Sequence, residues 1–301
     1  MPLDPDIASI IDNLNAGFPS VHTMTGAQAR AAIRARLRPV AEPEPVHSVT
    51  DTTVPGPAGE IPVRIYHPKS ARAVAVFFHG GGFVFCDLDS HDGLCRSMAN
   101  GVGAMVISVD YRLAPEHPWP AACNDAYATI RWAATQVPGQ PLIVAGDSAG
   151  GNLAAVTAIR ARDLGDPVID AQLLLYPVIT ADFNTPSYQA CANGYYNTRA
   201  AMMWYWDQYL PDAAQRNHPY ASPAHADLSG LSPAVVVTAG FDPLRSEGDS
   251  YAQALTRAGV DTVHRCYDGA VHGFMTMPGL ALESRAREQA WLDVRAVLGR
   301  D

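Results

Sequence analysis

The stretch Leu142-Ile143-Val144-Ala145-Gly146-Asp147-Ser148-Ala149-Gly150 decides the fold. Its first part is an apolar run that reads as a buried strand, and the Ala/Leu-rich stretch Leu153 to Leu164 beyond it reads as a helix. Between them, Gly146-Asp147-Ser148-Ala149-Gly150 has the G-x-S-x-G form of a nucleophile elbow, in which a strand turns sharply into a helix and leaves a serine at the apex. Small residues flank that serine because a larger Cβ in so tight a turn would collide with the strand or the helix. The bland alternative is a glycine-rich turn with a buried hydroxyl, so the rest of the chain must decide.

A second glycine motif favours chemistry. Val74 to Phe78 is another apolar run, and His79-Gly80-Gly81-Gly82-Phe83 follows directly. Each glycine costs roughly 1 kcal/mol relative to alanine in chain entropy, so a run of them marks backbone that something must approach closely. In an ester hydrolase such a loop offers main-chain N–H groups to the oxyanion of a tetrahedral intermediate. Gly80, Gly81 and Gly82 are candidate donors, with Ala149, the residue after the serine, as a further one. A phosphate-binding loop fits poorly, since no Lys follows these glycines and no G-x-G-x-x-G pattern is present.

Three motifs in order now carry a resemblance: His79-Gly80-Gly81-Gly82, then Val109-Asp110-Tyr111-Arg112-Leu113-Ala114-Pro115-Glu116-His117, then Gly146-Asp147-Ser148-Ala149-Gly150-Gly151-Asn152. Together they resemble the hormone-sensitive-lipase family of α/β-hydrolases, and the Gly-Asp-Ser-Ala-Gly form is similar to its bacterial carboxylesterase branch. The resemblance runs from about Arg64 to the C-terminus. It implies an α/β-hydrolase fold: a mostly parallel eight-stranded sheet with helices on both faces and a helical cap.

In that fold the remaining triad members come in the order Ser, acid, His, at strand ends. Ala234-Val235-Val236-Val237-Thr238-Ala239-Gly240 reads as a buried strand, and Phe241-Asp242-Pro243-Leu244-Arg245 comes straight after it. Asp242 therefore falls at a strand's carboxyl end, where α/β active sites lie. A turn or helix-capping role is the rival for an Asp before Pro, but the resemblance places the acid at this segment. Asp249 is the weaker candidate because it falls inside the following helix, Arg245–Arg257. Asp110 precedes the serine, against the fold's order, and reads as structural. Of ten histidines, His264 lies in the strand-like Thr262–Tyr267 and projects from a sheet face. His272 lies five residues past that stretch with room to reach Ser148, and is the candidate base. His79 reads as a brace for the glycine loop, and His117 as a structural residue in a Pro-rich turn. Asp147, Glu116 and Asn152 are expected to support the elbow and the Tyr111–His117 turn.

Ser148 would then attack an acyl carbonyl as His272 takes its proton, with Asp242 fixing the imidazole tautomer. Two other functions share these residues: a ligand-binding receptor on a hydrolase scaffold, which would normally have lost a catalytic residue, and an amidase or peptidase using the same triad. The resemblance implies esters of short to medium acyl chains as substrates, and no membrane-binding helix suited to a long-chain lipase is visible.

Composition sets limits. At 301 residues one domain, 1–301, is expected, burying roughly three quarters of the unfolded surface. A net charge of −9 argues against nucleic acid or an anionic membrane surface as partner. No stretch approaches the roughly 18 uninterrupted apolar residues of a membrane span. Met1-Pro2-Leu3-Asp4-Pro5-Asp6 lacks the basic start and apolar core of a signal peptide. Cys86, Cys95, Cys123, Cys191 and Cys266 are odd in number and lack metal-like pairing, so they read as free thiols in a reducing cytoplasm. No metal and no cofactor is expected.

Strand-like runs lie near Val46–Thr52, Ile61–Tyr66, Ala73–Phe78, Met105–Val109, Leu142–Ala145, Gln172–Tyr176, Val235–Ala239 and Thr262–Tyr267. The first two, joined through Pro55-Gly56-Pro57-Ala58-Gly59, read as an antiparallel edge hairpin. The last helical pattern is Glu283 to Leu298. Two segments break the alternation: about 1–45, with helical stretches near Asp6–Asn15 and Gly26–Leu37, and about 181–221, rich in aromatics (Phe183, Tyr188, Tyr195, Tyr196, Trp204, Tyr205, Trp206, Tyr209). The resemblance makes these two pieces the cap. It also suggests a homodimer through the last strand.

Overall fold

In the computed structural model, residues 2–38, 40 and 42–299 are described. Among them are eight strands: β1 (Ser48–Gly56), β2 (Gly59–His67), β3 (Ala73–Phe78), β4 (Ala104–Val109), β5 (Leu142–Asp147), β6 (Ala171–Leu175), β7 (Ala234–Phe241) and β8 (Thr262–Val271). They form one sheet in the order β1-β2-β4-β3-β5-β6-β7-β8. The pairings β1–β2 and β2–β4 are antiparallel, and all the others are parallel. Helices α1 (Pro5–Gly17) and α2 (Gly26–Arg34) precede the sheet. Helices α3 (Asp92–Met98), α4 (Ala121–Gln136), α5 (Ala149–Leu164), α6 (Pro186–Ala190), α7 (Arg199–Tyr209), α8 (Arg245–Arg257) and α9 (Ala281–Val297) follow.

Strand periodicity divides the core in two. Val74, Val76 and Phe78 of β3 pack with Ile130 of α4, Leu153 of α5 and Leu255 of α8, whereas Ala73, Ala75 and Phe77 pack with Met98 of α3 and Trp291 of α9. Because both faces are covered, β3, β4 and β5 are buried from end to end, which is why they read as unbroken apolar runs. The parallel crossovers bring the carboxyl ends of β3, β5, β7 and β8 to one edge of the sheet.

Several boundaries differ from the sequence expectation. β1 begins at Ser48 and continues through Pro55 until Gly56 pairs with Gly59, so only Pro57 and Ala58 turn. At the sheet edge the missing N–H of Pro55 need not cost a ladder bond. α2 ends at Arg34, after which Arg36 N donates to Ile33 O and Leu37 N to Arg34 O, the tighter turns of a fraying helix end. The largest difference lies in β8, which runs on to Val271, so His272 stands at a strand end and not on a distant loop. Ala239 pairs with Tyr267, but Phe241 pairs with Val271. Asp268, Gly269 and Ala270 thus bulge opposite Gly240, where a Cβ would lie 2.0 Å from Asp268 O.

Candidate active site

β5 feeds directly into α5 through Ser148, which has φ 54° and ψ −116°. Such backbone costs about 1–3 kcal/mol in a residue with a Cβ, and persists only where its surroundings impose it. Here the collisions are explicit. A Cβ on Gly146 would sit 2.2 Å from Gly150 O, and one on Gly150 would sit 1.8 Å from Phe78 O. Ser148 N donates to Leu175 O at 2.8 Å, and Val178 N donates to Ser148 O at 3.1 Å, so the end of β6 and the segment after it clasp the serine from both sides.

The three sequence-predicted triad residues meet. His272 Nε2 lies 2.9 Å from Ser148 Oγ, and His272 Nδ1 lies 2.7 Å from Asp242 Oδ2. Asp242 Oδ1 accepts the amide of Leu244 at 2.9 Å, which fixes the carboxylate's second oxygen. Asp242 is fully buried, while Ser148 and His272 retain 7% and 8% of their surface, enough for access from one side. The Tyr176 ring meets the His272 ring edge-on at 5.0 Å. An imidazole held in this way can take a proton from the serine and return it to a leaving group.

The glycine loop departs from expectation at one residue. The amide of Gly80 donates to Asp147 Oδ1 at 2.7 Å, so it is already engaged and drops out of the oxyanion donor set. Among the described residues the amides of Gly81, Gly82 and Ala149 have no partner. Gly81 (φ 113°) and Gly82 (φ 60°) occupy backbone that L-residues avoid, and a Cβ on Gly82 would strike the Tyr205 ring at 2.4 Å. Asp147 Oδ1 also meets His91 Nε2 at 3.0 Å. Burial raises the Asp147 pKa, but His91 and the Gly80 amide outweigh it and hold the carboxylate below its usual range. The sequence reading passed over His91, which carries no motif of its own. His79 braces the loop as expected: its Nδ1 contacts Gly80 O at 2.7 Å, its carbonyl accepts the Tyr111 hydroxyl at 2.7 Å, and its ring stacks on Tyr111. Burial and the nearby His91 push His79 down to about 4, which suits a neutral brace.

The other candidates lie apart from the serine. Asp249 accepts from Thr238 at 2.8 Å and pairs with His264 at 3.1 Å on the α8 side of the sheet. Asp110 is half-buried beyond β4, and its amide donates to Pro62 O. Burial raises the Asp110 pKa. His117 is exposed. Glu116 is also exposed; it pairs with Arg30 of α2, which donates to Ala114 O of the same turn, so it braces the Tyr111–His117 turn and has no contact with the elbow among the described residues. Asn152 does brace the site, donating to Val178 O and Ala221 O, both at 2.9 Å.

A cavity of about 980 Å³ has walls built from residues just past the glycine loop (Phe85, Cys86), just past His272 (Thr276), and from Phe18 and Tyr196. The triad side chains do not line it. The N-terminal segment reaches across to the 181–221 segment: Asn15 Nδ2 donates to Gly194 O at 2.9 Å, and Tyr196 N donates to Asn15 Oδ1 at 2.8 Å. Met1, Pro39 and Ala41 of the N-terminal segment lie outside the described residues. Half of the eight rings named for the later segment pack inward. Tyr188, Tyr205, Trp206 and Tyr209 are buried, with Tyr209 stacked on Phe83 at 3.7 Å. No helix of the described residues is long and apolar enough to cross a membrane.

A family model described as alpha/beta hydrolase fold matches residues 75–276. The carboxylic ester hydrolase LipN of Mycobacterium tuberculosis is 45% identical over 265 residues, covering 82% of this chain and 70% of the relative. An ethyl acetate hydrolase of Pseudomonas putida is 34% identical, with 94% and 95% of the two chains covered. The crystal structure of a thermostable esterase from Pseudomonas putida superposes with a TM-score of 0.93 at 35% identity, covering 99% of this chain and 98% of that one. The chain belongs to the α/β-hydrolase family, among its hormone-sensitive-lipase-like carboxylesterases. It is accordingly a serine carboxylesterase.

Proposed function

We propose that Ser148, His272 and Asp242 are the catalytic triad and that the substrates are small esters with short to medium acyl chains. The single observation that carries this is the hydrogen-bonded line from Asp242 through His272 to Ser148, at 2.7 and 2.9 Å, on three strand ends of one sheet edge. His272 takes the Ser148 proton as Oγ attacks the acyl carbonyl, and Asp242 stabilises the imidazolium. Gly81, Gly82 and Ala149 receive the oxyanion. His272 protonates the leaving alcohol, then activates water to release the acyl group.

Residues about 1–45 and about 181–221 form the cap of a single domain. The Asn15 clasp on Gly194 and Tyr196 supports that reading. The ethyl acetate hydrolase relative supports small substrates. The five free cysteines favour a reducing, cytoplasmic setting. β8, at the edge of the sheet with an exposed middle, is the surface for a homodimer.

The test is turnover of p-nitrophenyl esters of increasing chain length by the wild type and Ser148→Ala. Activity on acetate and butyrate should exceed that on palmitate, and Ser148→Ala should lose about 10⁶ in kcat. A peak at palmitate overturns the chain-length claim, and an active Ser148→Ala overturns the triad.

A further inference from the structure

Glu247 is the buried acid that the mechanism leaves unused. It lies in the first turn of α8, is 3% exposed, and accepts the amide of Ile179 on Oε1 at 2.7 Å, with Thr180 N near the limit at 3.5 Å. Its Oε2 has no partner among the described residues. Ile179 belongs to the segment that continues from β6 and clasps the serine, since Leu175 O at the strand's end accepts Ser148 N and Val178 N donates to Ser148 O. Tyr176, in the same segment, carries the ring that meets His272.

The neighbouring residues are shaped for this contact. A Cβ on Gly248 would lie 2.7 Å from Thr238 Cγ2 and 3.9 Å from Pro177, and one on Gly151 of α5 would lie 2.9 Å from Pro177. Pro177 is thus wedged between the two helices. The start of α8 is anchored to the triad acid, because Leu244 N donates to Asp242 Oδ1 and Arg245 N to Asp242 O. A few residues of rigid chain therefore join the group that orients His272 to the group that grips the serine's clasp.

We infer that Glu247 is a positioning residue for the triad: through Oε1 it holds the segment 175–180 so that Ser148 stays in hydrogen-bond register with a histidine set from Asp242. This rests on the proposed triad. What the job needs is an acceptor at the right reach, with no need for charge. Burial raises the Glu247 pKa well above the ordinary value against the pull of the two amides; Asp242 and Asp182 add to the rise, and Tyr188 lies close by. Burial thus favours the uncharged carboxyl, and a glutamine presents the same carbonyl oxygen.

The experiment compares Glu247→Gln, Glu247→Asp and Glu247→Leu on p-nitrophenyl butyrate, with active sites titrated by a phosphonate ester so that only folded enzyme counts. Asp withdraws the acceptor by one C–C bond, about 1.5 Å. Glu247→Gln should keep kcat within about twofold. Glu247→Asp and Glu247→Leu should lose kcat and kcat/KM together by roughly 10- to 100-fold at unchanged KM, since a misplacement near 1 Å costs on that order. Full kcat per titrated site in Glu247→Asp, a loss confined to KM, or a Glu247→Gln as poor as Glu247→Asp would each overturn the proposal. If Glu247→Leu fails to fold, the Gln and Asp pair decides alone. Ser148→Ala assayed alongside separates the two levels: activity surviving there removes the triad itself.

Discussion

The carboxyl edge of the sheet and the segments flanking it are held by different physics. At the edge, main chain touches main chain: Gly150 against Phe78, Gly146 against Gly150, Gly240 against Asp268, each closer than any Cβ allows. The flanking segments bury rings of their own, and they are joined to the rest by side chains that are partly exposed. Arg30 of α2 donates to Val84 O at 2.9 Å and Ala114 O at 3.0 Å, Arg34 pairs with Asp87 at 2.8 Å, and Asn15 clasps Gly194 and Tyr196. Surface pairs of this kind contribute about 0–1 kcal/mol each. The contrast teaches that the main chain around Ser148 tolerates little change, whereas the exposed pairs of the flanks can be exchanged at small cost in stability.

The comparison can be broken or sharpened in order of effect. Asp242→Asn should lower kcat by roughly 10⁴ through the wrong imidazole tautomer. Asp249→Asn, whose partners are Thr238, His264 and Arg245, should stay within about tenfold. A reversed ranking would mean that the acid is misassigned. Next comes Gly82→Ala, which meets both a φ of 60° and the Tyr205 ring; kcat should fall by about 10²–10³ as an oxyanion donor moves. Asn15→Ala removes two exposed hydrogen bonds and should lower Tm by only a few degrees, with at most about a fivefold change in kcat/KM. Comparable losses in the two variants would erase the distinction between edge and flank.

The smallest effect concerns pH and stability. Glu247 has a folded-state pKa raised above the ordinary 4.5, so the native state binds its proton more tightly than the unfolded chain does. Its contribution to stability is then fully present below about 4.5 and is lost as pH rises towards the native value. Glu247→Gln has no such proton. Its Tm relative to wild type should climb steadily from mildly acidic pH towards neutrality. A difference that stays flat with pH would show that the carboxyl ionises freely in the folded protein.

How far each part was legible follows from these forces. The elbow, the glycine loop and the strands β3, β4 and β5 were readable because burial on two faces and main-chain collision leave only apolar runs and glycines at those positions. Asp242 and His272 were readable as types at strand ends, yet the strand ends themselves were placed short. The continuation of β8 to Val271 depends on a bulge opposite Gly240, and no local pattern announces a pairing partner that distant. Gly80 was over-read for a related reason. Three adjacent glycines look alike in sequence, and only the position of Asp147 distinguishes the amide already engaged from those still free.

The amino-acid sequence by itself determined the class of fold and the serine turn after β5, because these rest on local sterics and on periodicities that neighbouring residues impose, and the resemblance supplied the expected order of the proposed triad. Only the tertiary structure decided which amides remain free for an oxyanion, which carboxylate reaches the histidine, and that Glu247 and His91 stand behind the site. Those outcomes depend on a few ångströms between residues far apart in the chain. Hydrogen bonds weaken steeply over that range, and residue order does not encode it.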